Sequence, residues 1–214
     1  MKLYTYFRSS AAWRVRIALN LKGIAAEQLP VHLLRNGGEQ KQAAYLALNP
    51  QGLVPALDDD GHLLTQSLAI IEYLDETHPE PPLLPRDALG RARVRAIAQS
   101  IACEIHPLNN LRVLGYLSGT LGISDEQKGA WYRHWVSTGF SALEQQLSHD
   151  NASGRFCHGD TPTLADCCLV PQLFNARRFD VALSPYPTLL RIEAECAALE
   201  AFAAATPARQ ADAA

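Results

Sequence analysis

Two adjacent serines, Ser9 and Ser10, are the first residues of the chain whose position suggests chemistry. They follow an aromatic, β-prone segment, Lys2 to Phe7, and precede a helical pattern. A helix start presents unpaired N–H groups and the positive end of the helix dipole, so it favours an anion, to which a serine hydroxyl can also donate. The alternative is that one serine only caps the helix. Neither serine has the Gly-x-Ser-x-Gly setting of a hydrolase nucleophile.

The cysteines form no motif typical of a metal or redox site. Their number, five, is odd, all lie beyond residue 100, and no Cys-x-x-Cys occurs. Cys167 and Cys168 lie in an apolar, helix-like stretch, so we interpret them as small buried residues. A zinc site would need spaced Cys/His pairs. We therefore expect no metal.

The composition is that of a folded globular protein. Hydrophobic residues make up 48% of the 214 residues and charged residues 19%. The net charge is −3, and no basic tract is present to neutralise phosphates, so nucleic acid is not expected as a partner. The longest apolar run, Ala43 to Leu48, is far shorter than the roughly 20 residues of a membrane helix. Because the start also lacks a signal-peptide pattern, we expect a cytoplasmic protein.

The elements that would position the serines alternate between strand and helix over residues 1–80. Changes of hydrophobic period and Gly or Asp turns predict the order βαβαββα. The predicted elements are strand Lys2 to Phe7, helix Ala12 to Lys22, strand Glu27 to Leu33, helix Glu39 to Ala47, a hairpin around Asp58 to Gly61, and helix Ser67 to Thr77.

A proline cluster, from Pro79 to Pro85, predicts a linker after this first domain. Residues 88–214 then have a helical pattern almost throughout, and we interpret them as an all-α domain. The predicted helices are Ala88 to Ile105, Asn109 to Ser118, Asp125 to Leu147 and Thr163 to Ala176. The Ala-rich tail after Pro207 is expected to fray.

Ordered motifs along the whole chain resemble the zeta class of the glutathione transferases, whose members include maleylacetoacetate and maleylpyruvate isomerases. The resemblance implies a thioredoxin-like α/β domain followed by an all-helical domain. One departure is Ala11, where many zeta members have a cysteine, although isomerisation takes its sulfur from glutathione. The matching motifs are Arg8-Ser9-Ser10 with Trp13 to Leu19, Asn49-Pro50, Val54-Pro55, Gln66 to Leu74, Gly159-Asp160, Thr163 to Asp166, and Val170-Pro171-Gln172.

The resemblance implies glutathione as the cofactor. Ser9 would donate to its thiolate, with Ser10 as the alternative. A cis Pro55 would present the Val54 backbone to the cysteinyl unit, and Gln66 with Ser67 would bind the γ-glutamyl carboxylate. Gln51, His32 or Gln40 are weaker candidates for the glycyl end. The full set implied for the cofactor is Ser9, Ser10, Gln51, Val54, Pro55, Gln66, Ser67, His106 and Asn110.

The resemblance also implies a small dicarboxylate substrate, a maleyl keto acid isomerised about its cis double bond, and we favour maleylpyruvate. Arg8 and Arg178 would bind its carboxylates, with Arg112 as a further clamp, since a guanidinium binds a carboxylate through two hydrogen bonds. The neighbour Arg177 could be confused with Arg178. His106 and Asn110 are four residues apart and could share a helix face.

Two other interpretations stay open at this stage. The chain could be a conjugating transferase for electrophilic or halogenated acids, or a non-catalytic dimerisation module on the same fold. A complete thiolate site, with Ser9 and the Val54-Pro55 and Gln66-Ser67 pairs, argues against the non-catalytic module. The resemblance implies a homodimer.

Overall fold

The computed structural model describes residues 1–213, which form two compact units. The first unit contains Met1–Leu83 together with the residues from Ala197 onward, and the second contains Leu84–Cys196. The sequence pattern predicted that residues 88–214 all belong to the helical domain, whereas in the structure the residues from Ala197 onward pack with the α/β unit.

A four-stranded mixed sheet forms the centre of the first unit, in the order β2-β1-β3-β4. Strands β1 and β2 are parallel, with Lys2 opposite Glu27, and β3 is antiparallel to both β1 and β4. The elements are β1 Lys2–Thr5, α1 Ser10–Leu21, β2 Glu27–Pro30, α2 Ala43–Leu48, β3 Ala56–Asp59, β4 His62–Thr65, α3 Ser67–Thr77 and α9 Glu200–Ala204. The predicted thioredoxin-like order βαβαββα is confirmed.

Three predicted elements of this unit are shorter in the structure. Strand β1 ends at Thr5 rather than Phe7. Strand β2 ends at Pro30 rather than Leu33, and proline has no N–H to extend the sheet hydrogen bonds. The predicted helix from Glu39 to Ala47 is divided into a 3₁₀ turn, Glu39–Lys41, and helix α2.

Helix α1 is buried on almost every side. It packs against α3 and against α9, while Leu3, Ala56 and Leu57 of the sheet are also buried. Even Arg14 and Arg16 on α1 are buried. A buried guanidinium must be hydrogen-bonded, so both arginines need partners elsewhere in the unit.

The second unit is all helical, as predicted. Helix α7, Leu164–Arg178, is buried along most of its length and begins at a capping box, in which Asp166 accepts from the Thr163 backbone N–H at 2.7 Å. A π-helix, Ser100–Ile105, follows α4 directly. The helices are α4 Ala88–Gln99, α5 Leu111–Gly119, α6 Asp125–His149, α7 Leu164–Arg178 and α8 Pro187–Ala197.

Four of the five cysteines are buried, including the predicted pair Cys167 and Cys168, whereas Cys103 is exposed. No helix within residues 1–213 is long and apolar enough to cross a membrane. The same residues contain no group of three or more His, Cys, Asp or Glu side chains arranged to hold a metal ion.

Candidate functional site

Ser9 lies at the junction of β1 and α1 and caps the helix. Its Oγ accepts a hydrogen bond from the Ala12 backbone N–H at 3.2 Å, and its own N–H donates to the Tyr6 carbonyl at 2.9 Å. The cap uses a lone pair of the hydroxyl oxygen, so the hydroxyl hydrogen can still be donated to an anion. Capping and anion binding are therefore compatible in one side chain.

The two serines differ in access. Ser9 is partly exposed, whereas Ser10 is the first residue inside α1 and only 3% exposed. A ligand outside the helix start reaches the hydroxyl of Ser9 more readily than that of Ser10. The geometry thus favours Ser9 of the two alternatives.

A second helix start, that of α3, has a strained residue before it. Gln66 has φ 70° and ψ 115°, a backbone conformation that residues other than glycine seldom adopt and that costs of order 1–3 kcal/mol. Its side-chain amide donates to Gln51 Oε1 at 2.9 Å. This contact brings two of the predicted cofactor-binding residues together.

Ser67, the first residue of α3, is tied to α1. Its Oγ accepts from the Arg14 guanidinium at 3.2 Å, and both side chains are buried. Arg14 thus links the helix that begins at Ser9 with the helix that begins at Ser67. It also adds a positive charge beside the dipole of α3, which strengthens the preference for an anion at this helix start.

The loop before β3 is fixed by a buried asparagine. The Asn49 amide donates to the Leu53 carbonyl at 2.8 Å, and its oxygen accepts from the Gln51 N–H at 3.1 Å. The Tyr45 hydroxyl donates to the same carbonyl at 2.7 Å, and burial raises the pKa of Tyr45 to about 12, so it remains a donor at neutral pH. The Val54–Pro55 peptide that follows is cis, as the resemblance implied.

Three further candidates of the first unit, two weaker ones for the glycyl end and Arg8 for the substrate, have local contacts. The His32 ring accepts from the backbone N–H groups of Leu34 and Arg35, and the buried Gln40 donates to the Leu33 carbonyl. Arg8 is exposed, and its guanidinium carbon lies 4.9 Å from the centre of the Phe7 ring.

In the second unit, the neighbouring residues Arg177 and Arg178 have different partners. Arg177 makes a two-pronged ion pair with Glu193, which raises its pKa further. Arg178, the last residue of α7, is exposed and lies over the Phe179 ring at 5.8 Å, with one long contact to Asn175 at 3.5 Å. No acidic side chain of residues 1–213 forms a salt bridge with Arg178. Of the two, Arg178 is thus the one whose guanidinium can bind an external carboxylate.

The expectation that His106 and Asn110 share a helix face is wrong. A 3₁₀ turn, Pro107–Asn109, interrupts the helix between them, and Asn110 has extended backbone angles as the cap of α5. Its Oδ1 accepts from the N–H groups of Arg112 and Val113. Arg112 is exposed in the first turn of α5. Asn110 therefore has a structural role, and its place in a binding site stays a prediction.

Sequence reasoning assigned no role to Arg14, Asn49 or Tyr45, although they fix the predicted residues in place. For Arg14 there was a signal: an arginine in an apolar helical stretch that has few other charges. Asn49 lies in the Asn49-Pro50 motif of the resemblance, which marks its position but not its role. For Tyr45 the sequence has no comparable signal, because its partner is a backbone carbonyl.

Comparison with known proteins gives consistent matches over the whole chain. Residues 3–82 match the glutathione S-transferase N-terminal domain and residues 130–205 its C-terminal domain. A maleylacetoacetate isomerase of Pseudomonas aeruginosa is 53% identical, over 99% of this chain and 98% of that protein.

Two solved structures are similar throughout. One is the holo structure of a maleylpyruvate isomerase, a bacterial glutathione S-transferase of the zeta class, with 53% identity, a TM-score of 0.97 and full coverage of both chains. The other is a maleylacetoacetate isomerase of Methylobacterium extorquens with bound malonate and glutathione, with 46% identity, a TM-score of 0.96 and full coverage of both chains.

Proposed function

The chain belongs to the zeta class of the glutathione S-transferase family, and from that premise we propose the reaction that it catalyses and the residues responsible. It is a glutathione-dependent cis–trans isomerase. Its substrate is maleylpyruvate, which it converts to fumarylpyruvate in the breakdown of aromatic compounds. Maleylacetoacetate is the alternative substrate, which the name of the Pseudomonas relative supports.

The residues at the start of α1 fit the thiol of glutathione. When bound, glutathione would supply a thiolate that adds to the cis double bond, and rotation about the resulting single bond followed by expulsion of the same thiolate restores the double bond in the trans acid. Ser9 stabilises this thiolate by donating its hydroxyl hydrogen, while the dipole of α1 favours the negative charge. A tenfold gain in thiolate requires about 1.4 kcal/mol, which one hydrogen bond to a charged group supplies.

The start of α3 fits the γ-glutamyl end of glutathione. Gln66 and Ser67 lie where the first N–H groups of the helix can bind a carboxylate, and Arg14 holds Ser67 in place. The backbone of Val54 pairs with the cysteinyl unit, and Gln51, positioned by Asn49, binds the glycyl end.

Arginines bind the substrate. Arg178 binds one carboxylate of the dicarboxylate, because it lacks the ion pair that occupies Arg177. Arg8 follows the same strand that leads to Ser9 and serves the second carboxylate or the ketone oxygen, where negative charge develops. Arg112 is the further clamp of this set, while His106 and Asn110 belong to the proposed cofactor set.

The protein is also proposed to act as a homodimer in the cytoplasm. The homodimer is supported by the family resemblance alone. A location in the cytoplasm is supported by the five free cysteines, which are typical of proteins in a reducing compartment.

The proposal on the substrate rests above all on the exposed, unpaired Arg178 at the end of α7, and it is tested by comparing two substrates. With glutathione present, kcat/KM for maleylpyruvate should exceed that for maleylacetoacetate. A higher kcat/KM for maleylacetoacetate would make that compound the substrate, and the proposal of an isomerase would still hold. Conversion of neither substrate, together with conjugation of glutathione to chlorinated acids, would replace the isomerase by a conjugating transferase.

A further inference from the structure

The end of the chain contacts the segment that leads to Ser9. Asp212 accepts a hydrogen bond from the Phe7 backbone N–H at 2.9 Å, across 205 residues of sequence. Nearby, the Gln210 amide donates to the carbonyls of Ala204 and Thr206, both at 2.9 Å. The tail that the sequence predicted to fray is therefore hydrogen-bonded to the α/β unit.

A buried guanidinium joins the same two segments. Arg16 donates to the Thr5 hydroxyl at 2.9 Å and to the carbonyls of Tyr6 at 3.3 Å and Phe7 at 3.0 Å. It also donates twice to the Ala205 carbonyl, at 3.3 Å each. Residues 5–7 are thus held on one side by Arg16 and at the Phe7 N–H by Asp212.

Asp212 also balances the charge of Arg16. The oxygens that accept from Arg16 in these bonds all belong to neutral groups. Burial lowers the pKa of Arg16 to about 10, and the Asp212 carboxylate opposes that fall. A carboxylate at this point therefore favours the charged guanidinium that holds residues 5–7.

We propose that Asp212 is a positioning residue for the glutathione thiolate, because it fixes the turn from which Ser9 donates its hydroxyl. The Tyr6 carbonyl accepts from both the Ser9 N–H and Arg16, so a shift of residues 6 and 7 displaces Ser9 as well. The inference rests on the proposed role of Ser9. It adds a residue near the other end of the chain that touches neither cofactor nor substrate.

The test is a pH titration of glutathione bound to the full-length protein, followed by the ultraviolet absorbance of its thiolate, with kcat and KM measured alongside. The variants are Asp212→Ala, Asp212→Asn and Ser9→Ala, singly and as Ser9→Ala with Asp212→Ala. The matched control is Arg209→Ala, which removes an exposed ion pair with Glu200 from the same tail and leaves residues 5–7 untouched.

Asp212→Ala should raise the pKa of the bound thiol, so that the thiolate fraction and kcat at pH 6.5 fall about three- to tenfold while KM for the maleyl substrate is unchanged. Asp212→Asn keeps an acceptor oxygen but loses the charge, so it should cause a smaller fall, about twofold. Arg209→Ala should titrate like the unaltered protein. In the Ser9→Ala background, Asp212→Ala should add almost nothing, because the group that it positions is already absent.

The inference is overturned if Ser9→Ala shifts the titration and neither Asp212 variant does, since the tail would then have only a structural role. An equal loss in Arg209→Ala and Asp212→Ala would also overturn it, because both would report the stability of the tail. If Ser9→Ala itself titrates normally, the proposed thiolate partner is wrong, and the inference fails with it. Should Asp212→Ala fail to fold, Asp212→Asn decides between the same outcomes.

Discussion

Replacing Ser9 by alanine should separate its two roles, helix capping and thiolate binding. Loss of the cap to Ala12 N–H should lower the free energy of unfolding by about 1 kcal/mol. Loss of a hydrogen bond to a charged sulfur should cost a further 1.5–3 kcal/mol in the glutathione-bound state, roughly a 10- to 150-fold decrease in kcat/KM. The decrease should be largest at low pH, because the pKa of the bound thiol rises in the variant.

The chain offers a matched control for capping alone. Ser124 caps α6 with the same geometry, accepting from the Gln127 N–H at 3.2 Å, and it lies in the other unit. Ser124→Ala should lower stability by a similar amount and leave the thiolate titration unchanged. Urea unfolding and steady-state isomerisation between pH 6 and 9 measure both effects.

Two results would refute this reasoning. If Ser124→Ala lowers kcat/KM as much as Ser9→Ala, the loss reports stability and not chemistry. If Ser9→Ala is fully active and Ser10→Ala is not, the thiolate partner is the buried serine, and the argument from access is wrong.

Three further outcomes are expected. Arg178→Ala should raise KM for the maleyl substrate at least tenfold. The control Arg177→Ala breaks an exposed ion pair with Glu193, so it should lower the free energy of unfolding by under about 1 kcal/mol and leave KM unchanged. Equal KM values in the two variants would remove Arg178 from the site. Only Cys103 should react with a thiol reagent in the native protein, because it is the exposed cysteine and the other four are buried. Burial also raises the pKa of Cys157, Cys167 and Cys196, which disfavours their reactive thiolates. Mass spectrometry of the labelled chain counts the modified residues. The Ala152 N–H and Arg93 lower the pKa of Asp150, so its contribution to stability is fully present above about pH 4 and is lost as the pH falls through the lowered pKa. Asp150→Asn should therefore destabilise more at pH 7 than at pH 3, and equal losses at both values in urea unfolding would contradict this.

The sequence predicted the start of α1 to within two residues, Ala12 against Ser10, because the signals are local. A β-prone segment, a serine cap and an apolar helical repeat occur within fifteen residues around Ser9, and the structure forms these elements. The start of α3 at Ser67 was predicted from its apolar spacing, but the expectation that Ser67 caps the helix is wrong: Gln66 occupies the cap position, and the Ser67 hydroxyl accepts from Arg14 instead.

Features that depend on distant partners were not predictable in this way. Arg16 donates to Ala205 across 189 residues of sequence, and Asp212 accepts from Phe7 across 205. The Ala-rich tail has no periodicity that would indicate such contacts. Likewise, only Glu193, sixteen residues further along, distinguishes Arg177 from its neighbour Arg178.

One error could have been avoided with local rules. Pro107 lies between His106 and Asn110, and asparagine is a preferred helix cap, so a break between the two residues was the better interpretation.

The most direct test of the central claim is the rate of maleylpyruvate isomerisation by the purified protein with glutathione, without it, and with S-methylglutathione in its place. The account predicts rapid formation of fumarylpyruvate with glutathione alone, because only the free thiol can supply a thiolate for Ser9 to stabilise. Equal rates in all three samples, or none in any, would contradict it.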